Sequence, residues 1–193
     1  MWRQLFMAAL LTFVWVLPAQ AGRESPGVGT VPPDFKARSA VSGEQLRLSA
    51  QQGKIVVLTF WATWCGPCRK ELPILEGIQR QVGKDRLEVF AVAFHESPEN
   101  FRTLKKLAAT GSWQLALIED DSATIASRYG IKAIPHLFII GRDGKILAEH
   151  TGYGEGSIDE LVEELNRALR PDGSPGEAPS QATSEKSETT QTK

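Results

Sequence analysis

One junction constrains this chain more than any other feature. Seven continuous β-branched and aromatic residues, Ile55-Val56-Val57-Leu58-Thr59-Phe60-Trp61, lead through Ala62-Thr63-Trp64 into Cys65-Gly66-Pro67-Cys68. An uninterrupted apolar run of strand length fits a strand covered on both faces, because a half-exposed strand would alternate. Beyond it Leu72, Leu75, Ile78 and Val82 recur at helical spacing, so residues 67–82 are predicted to be a helix opening at Pro67. Pro73 removes a backbone donor inside that helix and is expected to kink it. A strand buried on both faces needs a layer on each side, which makes the fold class α/β.

The rest of the chain supplies those layers. Asp34 to Ser39 and Glu44 to Leu48, joined across Ser42-Gly43, are predicted to form a short hairpin. Leu87 to Phe94 is predicted as a strand, Pro98 to Ala109 as a helix, Trp113 to Ile118 as a strand and Ser122 to Tyr129 as a short helix. Leu137 to Ile140 and Lys145 to His150 flank Gly141-Arg142-Asp143-Gly144 as an antiparallel hairpin. Ser157, with Glu160 one turn on, opens a last helix through Leu169. The pattern predicts a central mixed β-sheet with helices on both faces.

The two ends are expected to stand apart from that domain. Arg3, the apolar run Leu5 to Leu17 and the small-x-small site Ala19-Gln20-Ala21 are those of a secretory signal at residues 1–21. A spanning helix needs roughly 17–25 apolar residues, so cleavage after Ala21 is expected over retention as an uncleaved anchor. Residues 171–193 hold no Leu, Ile, Val or Phe and are expected to be a disordered, low-complexity tail. Residues 22–170 then form a single domain. Of the 22 basic and 23 acidic residues, one basic lies in the signal, and two basic and four acidic lie in the tail. The domain therefore carries 19 of each sign, and that balance supplies no overall basic excess to neutralise phosphates, which argues against nucleic-acid binding.

Cys65 and Cys68 are the only cysteines, so a disulfide-rich scaffold is excluded. A thiol at the first turn of a helix meets unpaired N–H groups and the positive end of the macrodipole, which favour the thiolate. Cys65 is so placed and is the expected nucleophile, with Cys68 one turn on to resolve a mixed disulfide. Pro67 stiffens the loop, and Gly66 leaves room for a partner's backbone. A Cys-x-x-Cys is also half a zinc site, but no second pair exists and only His95, His136 and His150 are left to complete it. A purely structural bridge closing so short a loop gains little chain entropy. Redox chemistry is the expected use.

Phe60 to Pro73 resembles the active-site segment of thioredoxin-fold proteins, most closely the exported TlpA/ResA-like thiol-disulfide oxidoreductases. Pro33-Asp34-Phe35 before the hairpin, and Tyr129-Gly130-Ile131-Lys132-Ala133-Ile134-Pro135 before an apolar strand, extend the resemblance over residues 32–169. It implies a thioredoxin fold with an N-terminal hairpin addition, an insert between the core halves and no cofactor. It also implies a cis bond before Pro135, with Ile134 and Pro135 pairing an extended substrate beside Cys65 and Trp64 as an apolar contact. Trp61 is expected in the core. A solvated Glu71 would merely favour the helix start, whereas the resemblance places it near the dithiol, exchanging protons with Cys68. Cytosolic thioredoxins carry a buried aspartate and lysine where Thr59 and Ala91 stand here, which moves that role towards Glu71.

The implied function is a periplasmic reductase of protein disulfides, re-reduced by a membrane electron donor of the DsbD or CcdA kind. Cytochrome c maturation, spore formation and general thiol repair are the settings the resemblance implies. An exported oxidase or isomerase would use the same sulfurs at a higher potential. A copper or other metal carrier would combine Cys65, Cys68 and His136. A peroxide-reducing enzyme is disfavoured by the two-residue spacing.

Overall fold

The computed structural model describes residues 24–120, 122–152 and 157–170. The expected signal and the C-terminal tail lie outside the described residues. In chain order the elements are β1 (Lys36–Arg38), β2 (Gln45–Arg47), β3 (Ile55–Trp61), α1 (Gly66–Val82), β4 (Leu87–Ala93), α2 (Pro98–Thr110), β5 (Ala116–Glu119), α3 (Thr124–Arg128), β6 (His136–Ile140), β7 (Ile146–Thr151) and α4 (Ser157–Ala168). The strand at Ile55–Trp61, the N-terminal hairpin and the hairpin of β6 and β7 form where the sequence pattern puts them.

β3 is the middle of a five-stranded sheet with order β5-β4-β3-β6-β7. It runs parallel to β4 and antiparallel to β6, so the sheet is mixed. Every β3 residue is buried, and its side chains divide by parity. Ile55, Val57 and Trp61 pack with Leu72 and Leu75 of α1 and with Leu161 and Leu165 of α4. Val56, Leu58 and Phe60 pack on the other face with Ile125 and Ala126 of α3 and with Phe35 before β1. The two-residue period of a strand thus divides one continuous run between two cores, and each large side chain so buried contributes ~1.5–3 kcal/mol. α2 and β5 form the insert between the β3-α1-β4 and β6-β7-α4 halves. α1 continues unbroken across Pro73, whose side chain is exposed.

β5 and α3 start later than their sequence pattern predicts, each because side chains take up the backbone donors at its start. β5 begins at Ala116 rather than Trp113, because the Gln114 and Leu115 N–H groups donate to the Glu76 carboxylate of α1 instead of to a strand. Opposite this gap the Val89 N–H of β4 donates to Gln79 Oε1. Glu76 and Gln79 are buried polar residues in the helix because they complete the sheet where β5 is missing. α3 begins at Thr124 rather than Ser122, with both Asp120 carboxylate oxygens accepting from the Ile125 and Ala126 N–H groups. Glu76→Ala strands the donors of Gln114 and Leu115 and is expected to cost about 2 kcal/mol. A urea midpoint lowered with an unchanged slope is the sign of that loss. An unmoved midpoint would show that these donors find other partners.

Candidate active site

β3 ends at Trp61, and four residues later Cys65 caps α1. The Cys65 backbone is extended (φ −83°, ψ 103°), and its sulfur accepts the Cys68 N–H at 3.3 Å. That amide is one of the orphan donors of a helix start, so a thiolate here meets an N–H and the positive end of the helix. Cys65 and Cys68 are joined as a disulfide, with 5.3 Å between their Cα atoms. Cys65 retains 6% exposure and Cys68 none, so the two sulfurs are not equivalent towards a large partner.

The loop carrying Cys65 is held by its neighbour after β4. Glu96 accepts the Thr63 N–H with one oxygen and the Ser97 N–H with the other. The Trp64 indole N–H donates to the His95 carbonyl at 3.5 Å, with His95 at φ 46°. Trp64 is 60% exposed beside the dithiol, whereas Trp61 is buried in the core. Neither the Glu96 anchor nor the His95 carbonyl follows from residue spacing, since each contact spans more than thirty residues of sequence.

Glu71 lies one turn past Cys68, on the helical face turned to the sheet, and is only 8% exposed. Its Oε1 accepts the Thr59 hydroxyl at 2.9 Å. Thr59 is the fifth of the seven β3 residues, registered against Ala91 of β4 and Leu137 of β6. The helix therefore delivers a carboxylate to the strand position where Thr59 supplies only a hydroxyl. Burial pushes the Glu71 carboxyl above its ordinary range, while the Thr59 hydrogen bond and the His150 charge oppose that shift. His150 stands beside Leu137 on β7, with its ring 2.6 Å from Glu164 of α4.

The Ile134–Pro135 bond is cis. β6 begins at His136, paired to Phe60, so Pro135 lies at the end of the sheet from which the Cys65 loop leaves. Its carbonyl accepts the Gly152 N–H, and Ile134 is half-buried between the two cores. His136 is not part of the dithiol cluster. It shares the face of Phe60 and Phe138, stacks on Phe138, and its Nε2 is 2.8 Å from Glu149 Oε1. Burial lowers its proton affinity, partly offset by that carboxylate. Among the described residues no three His, Cys, Asp or Glu side chains are grouped to hold a metal ion, and Cys65, Cys68 and His136 do not form such a group.

The sequence and the fold both have known counterparts. The model of the AhpC/TSA family matches residues 28–149. The thioredoxin-like protein YneN of Bacillus subtilis is 32% identical over 140 residues, 72% of this chain and 81% of the relative. The thiol-disulfide oxidoreductase ResA of Halalkalibacterium halodurans is 30% identical over 132 residues, 68% and 72% of the two chains. A thioredoxin-family thiol:disulfide interchange protein of Chlorobium tepidum shares the fold, with TM-score 0.59 at 23% identity, over 76% of this chain and 100% of its own. With its disulfide at the strand-to-helix junction of that fold, the chain belongs to the AhpC/TSA family and, within it, to the ResA-like thiol-disulfide oxidoreductases of the thioredoxin superfamily.

Proposed function

We propose that the protein is an exported reductase of protein disulfides, working through Cys65 and Cys68 with Glu71 as the proton carrier. The observation that carries this reading is the asymmetry of the pair: Cys65 caps the helix with an N–H on its sulfur, and Cys68 is buried one turn from a buried carboxyl. In the reduced enzyme the Cys65 thiolate attacks one sulfur of a substrate disulfide. A Cys65–substrate bond forms, the substrate's own S–S bond breaks, and the released thiolate takes a proton from water. Cys68 then gives its proton to the Glu71 carboxylate and attacks the Cys65 sulfur. The second substrate thiolate leaves and receives the proton from Glu71. The substrate gains two electrons and two protons, and the enzyme closes its disulfide.

Trp64, Gly66 and Pro67 offer the contact surface around the nucleophile, and Ile134 with Pro135 offers backbone to an extended substrate segment. Export follows from residues 1–21, and in an oxidising compartment the enzyme needs two electrons per turnover from a membrane dithiol donor of the DsbD or CcdA kind. No helix among the described residues is long and apolar enough to cross a membrane.

Equilibration against glutathione buffers decides the direction. A midpoint near the thioredoxin value, about −270 mV, is the expected result, and one near the DsbA value, about −120 mV, would make the protein an oxidase instead.

A further inference from the structure

On the β5 side of the sheet a cleft of about 790 Å³ opens between β1, the N-terminal half of α2 and α3. The strand edge itself is not its binding element, because the segment after β1 covers it, with the Ala40 N–H donating to the Leu117 carbonyl. What distinguishes the cleft is charge. Lys36, Arg38, Arg102, Lys105 and Arg128 line it, against Glu119 and Asp120. Asp120 spends both oxygens on the N–H groups of α3. Arg102 has an exposed partner in Glu99, and Arg38 donates to the Gly43 carbonyl. Lys36, Lys105 and Arg128 have no carboxylate partner among the described residues. A domain with 19 charges of each sign has thus gathered five cations and only two carboxylates here.

The cleft begins at the dithiol end of the sheet. Trp61, Ala93 and Glu119 form one row across β3, β4 and β5, so Glu119 lies about 10 Å from Trp61 at the usual strand spacing. The loop that leads into α2 also holds Thr63 and Trp64 beside Cys65. A polypeptide in contact with Cys65 reaches the cleft within about six extended residues, ~20 Å.

We propose that this cleft docks an acidic segment of the disulfide-bearing substrate, about six residues from the target disulfide in sequence. The proposal rests on the reductase reading for its choice of partner. Lys36, Lys105 and Arg128 supply the attraction, and exposed pairs of this kind are each weak and screened by salt. The selectivity is therefore additive over several charges and sensitive to ionic strength.

Two peptides containing the same intrachain disulfide test it, one with a run of glutamates placed about six residues away and the other with glutamines there. At low salt the full-length enzyme is expected to reduce the glutamate peptide with a KM about tenfold lower and an unchanged kcat. Near 1 M salt, where the Debye length is about 3 Å, that advantage is expected to vanish. The charge-reversed variant Lys36→Glu/Lys105→Glu/Arg128→Glu is expected to lose the advantage while reducing the glutamine peptide and a small neutral disulfide as before. Lys36→Gln/Lys105→Gln, at two exposed positions, is expected to lose part of it. Equal KM values for the two peptides, or an unchanged preference in either variant, would overturn the proposal. So would charge reversal that alters the sedimentation coefficient and leaves both KM values alone, which would give the cleft to a second copy of the chain. Fluorescence polarisation with the reduced, alkylated glutamate peptide requires no turnover. A failure of the reductase reading therefore leaves the cleft testable: salt-sensitive binding lost on charge reversal supports it, and absence of binding sinks it.

Discussion

Cys65→Ser is expected to abolish disulfide turnover, lowering the steady-state rate by on the order of 10³-fold or more, because the remaining thiol, Cys68, has no exposure to a substrate disulfide. Cys68→Ser is expected to fail differently. With Cys65 intact its sulfur still accepts the residue-68 N–H, which belongs to the backbone and survives the substitution. The variant therefore retains the first step and releases one thiol per enzyme, followed by no further turnover. Pre-steady-state release of a chromophoric thiol separates the two: no burst for Cys65→Ser, and a burst of about one equivalent for Cys68→Ser. Equal bursts from both variants would mean that either sulfur can attack, against the asymmetry of exposure and hydrogen bonding at the pair.

Glu71→Gln carries the second large effect. Its carboxyl sits on the Thr59 hydroxyl in a buried site, and burial favours the protonated form. The resolving step needs a base for the Cys68 proton, and loss of a positioned one costs at least about 10²-fold. The wild-type rate of resolution is expected to rise with pH through the elevated Glu71 titration, and that limb is expected to be missing in the variant. Stability moves the opposite way. The unfolded carboxyl titrates near its ordinary value of 4.5 and the folded one higher, so between those values the folded state binds more protons. Rising pH across that window destabilises the wild type, and the penalty remains at neutral pH. Glu71→Gln is accordingly expected to raise Tm at pH 8 and to lose that advantage below pH ~4, where both states of the wild type are protonated. Parallel Tm curves for the two proteins would show that the Glu71 carboxylate is solvated in the fold, as it would be if it only favoured the helix start.

Much of the frame was legible in the chain, and the reasons are local. β3 announced itself because a strand covered on both faces must be apolar throughout, and α1 because Leu72 and Leu75 share its buried face. The dithiol was legible because Cys65 and Cys68 are local neighbours whose chemistry depends on a helix start that the pattern also reveals. The start of β5 was not legible. Trp113-Gln114-Leu115 has strand-like character, but a carboxylate 38 residues earlier in the sequence takes its donors. The partners of the site were hidden for the same reason. Thr59 read as the absence of a base, whereas the register of β3 under α1 makes it the hydrogen-bond donor to Glu71. Glu96 gave no signal, because its role exists only once two loops at one end of the sheet meet. His136 shows the converse: it is next to Pro135 in sequence but is carried by strand alternation to the opposite face, onto Phe138 and Glu149.

In the proposed cycle Cys65 makes the bond to substrate and Cys68 breaks it. Trapping with Cys68→Ser in the exported compartment, followed by mass spectrometric mapping of the adducts, separates these two roles. Mixed disulfides carried on Cys65, dissolved by reductant and absent from Cys65→Ser, are the expected result. Adducts accumulating instead on Cys68 of the Cys65→Ser protein, with none on Cys65 of Cys68→Ser, would contradict it.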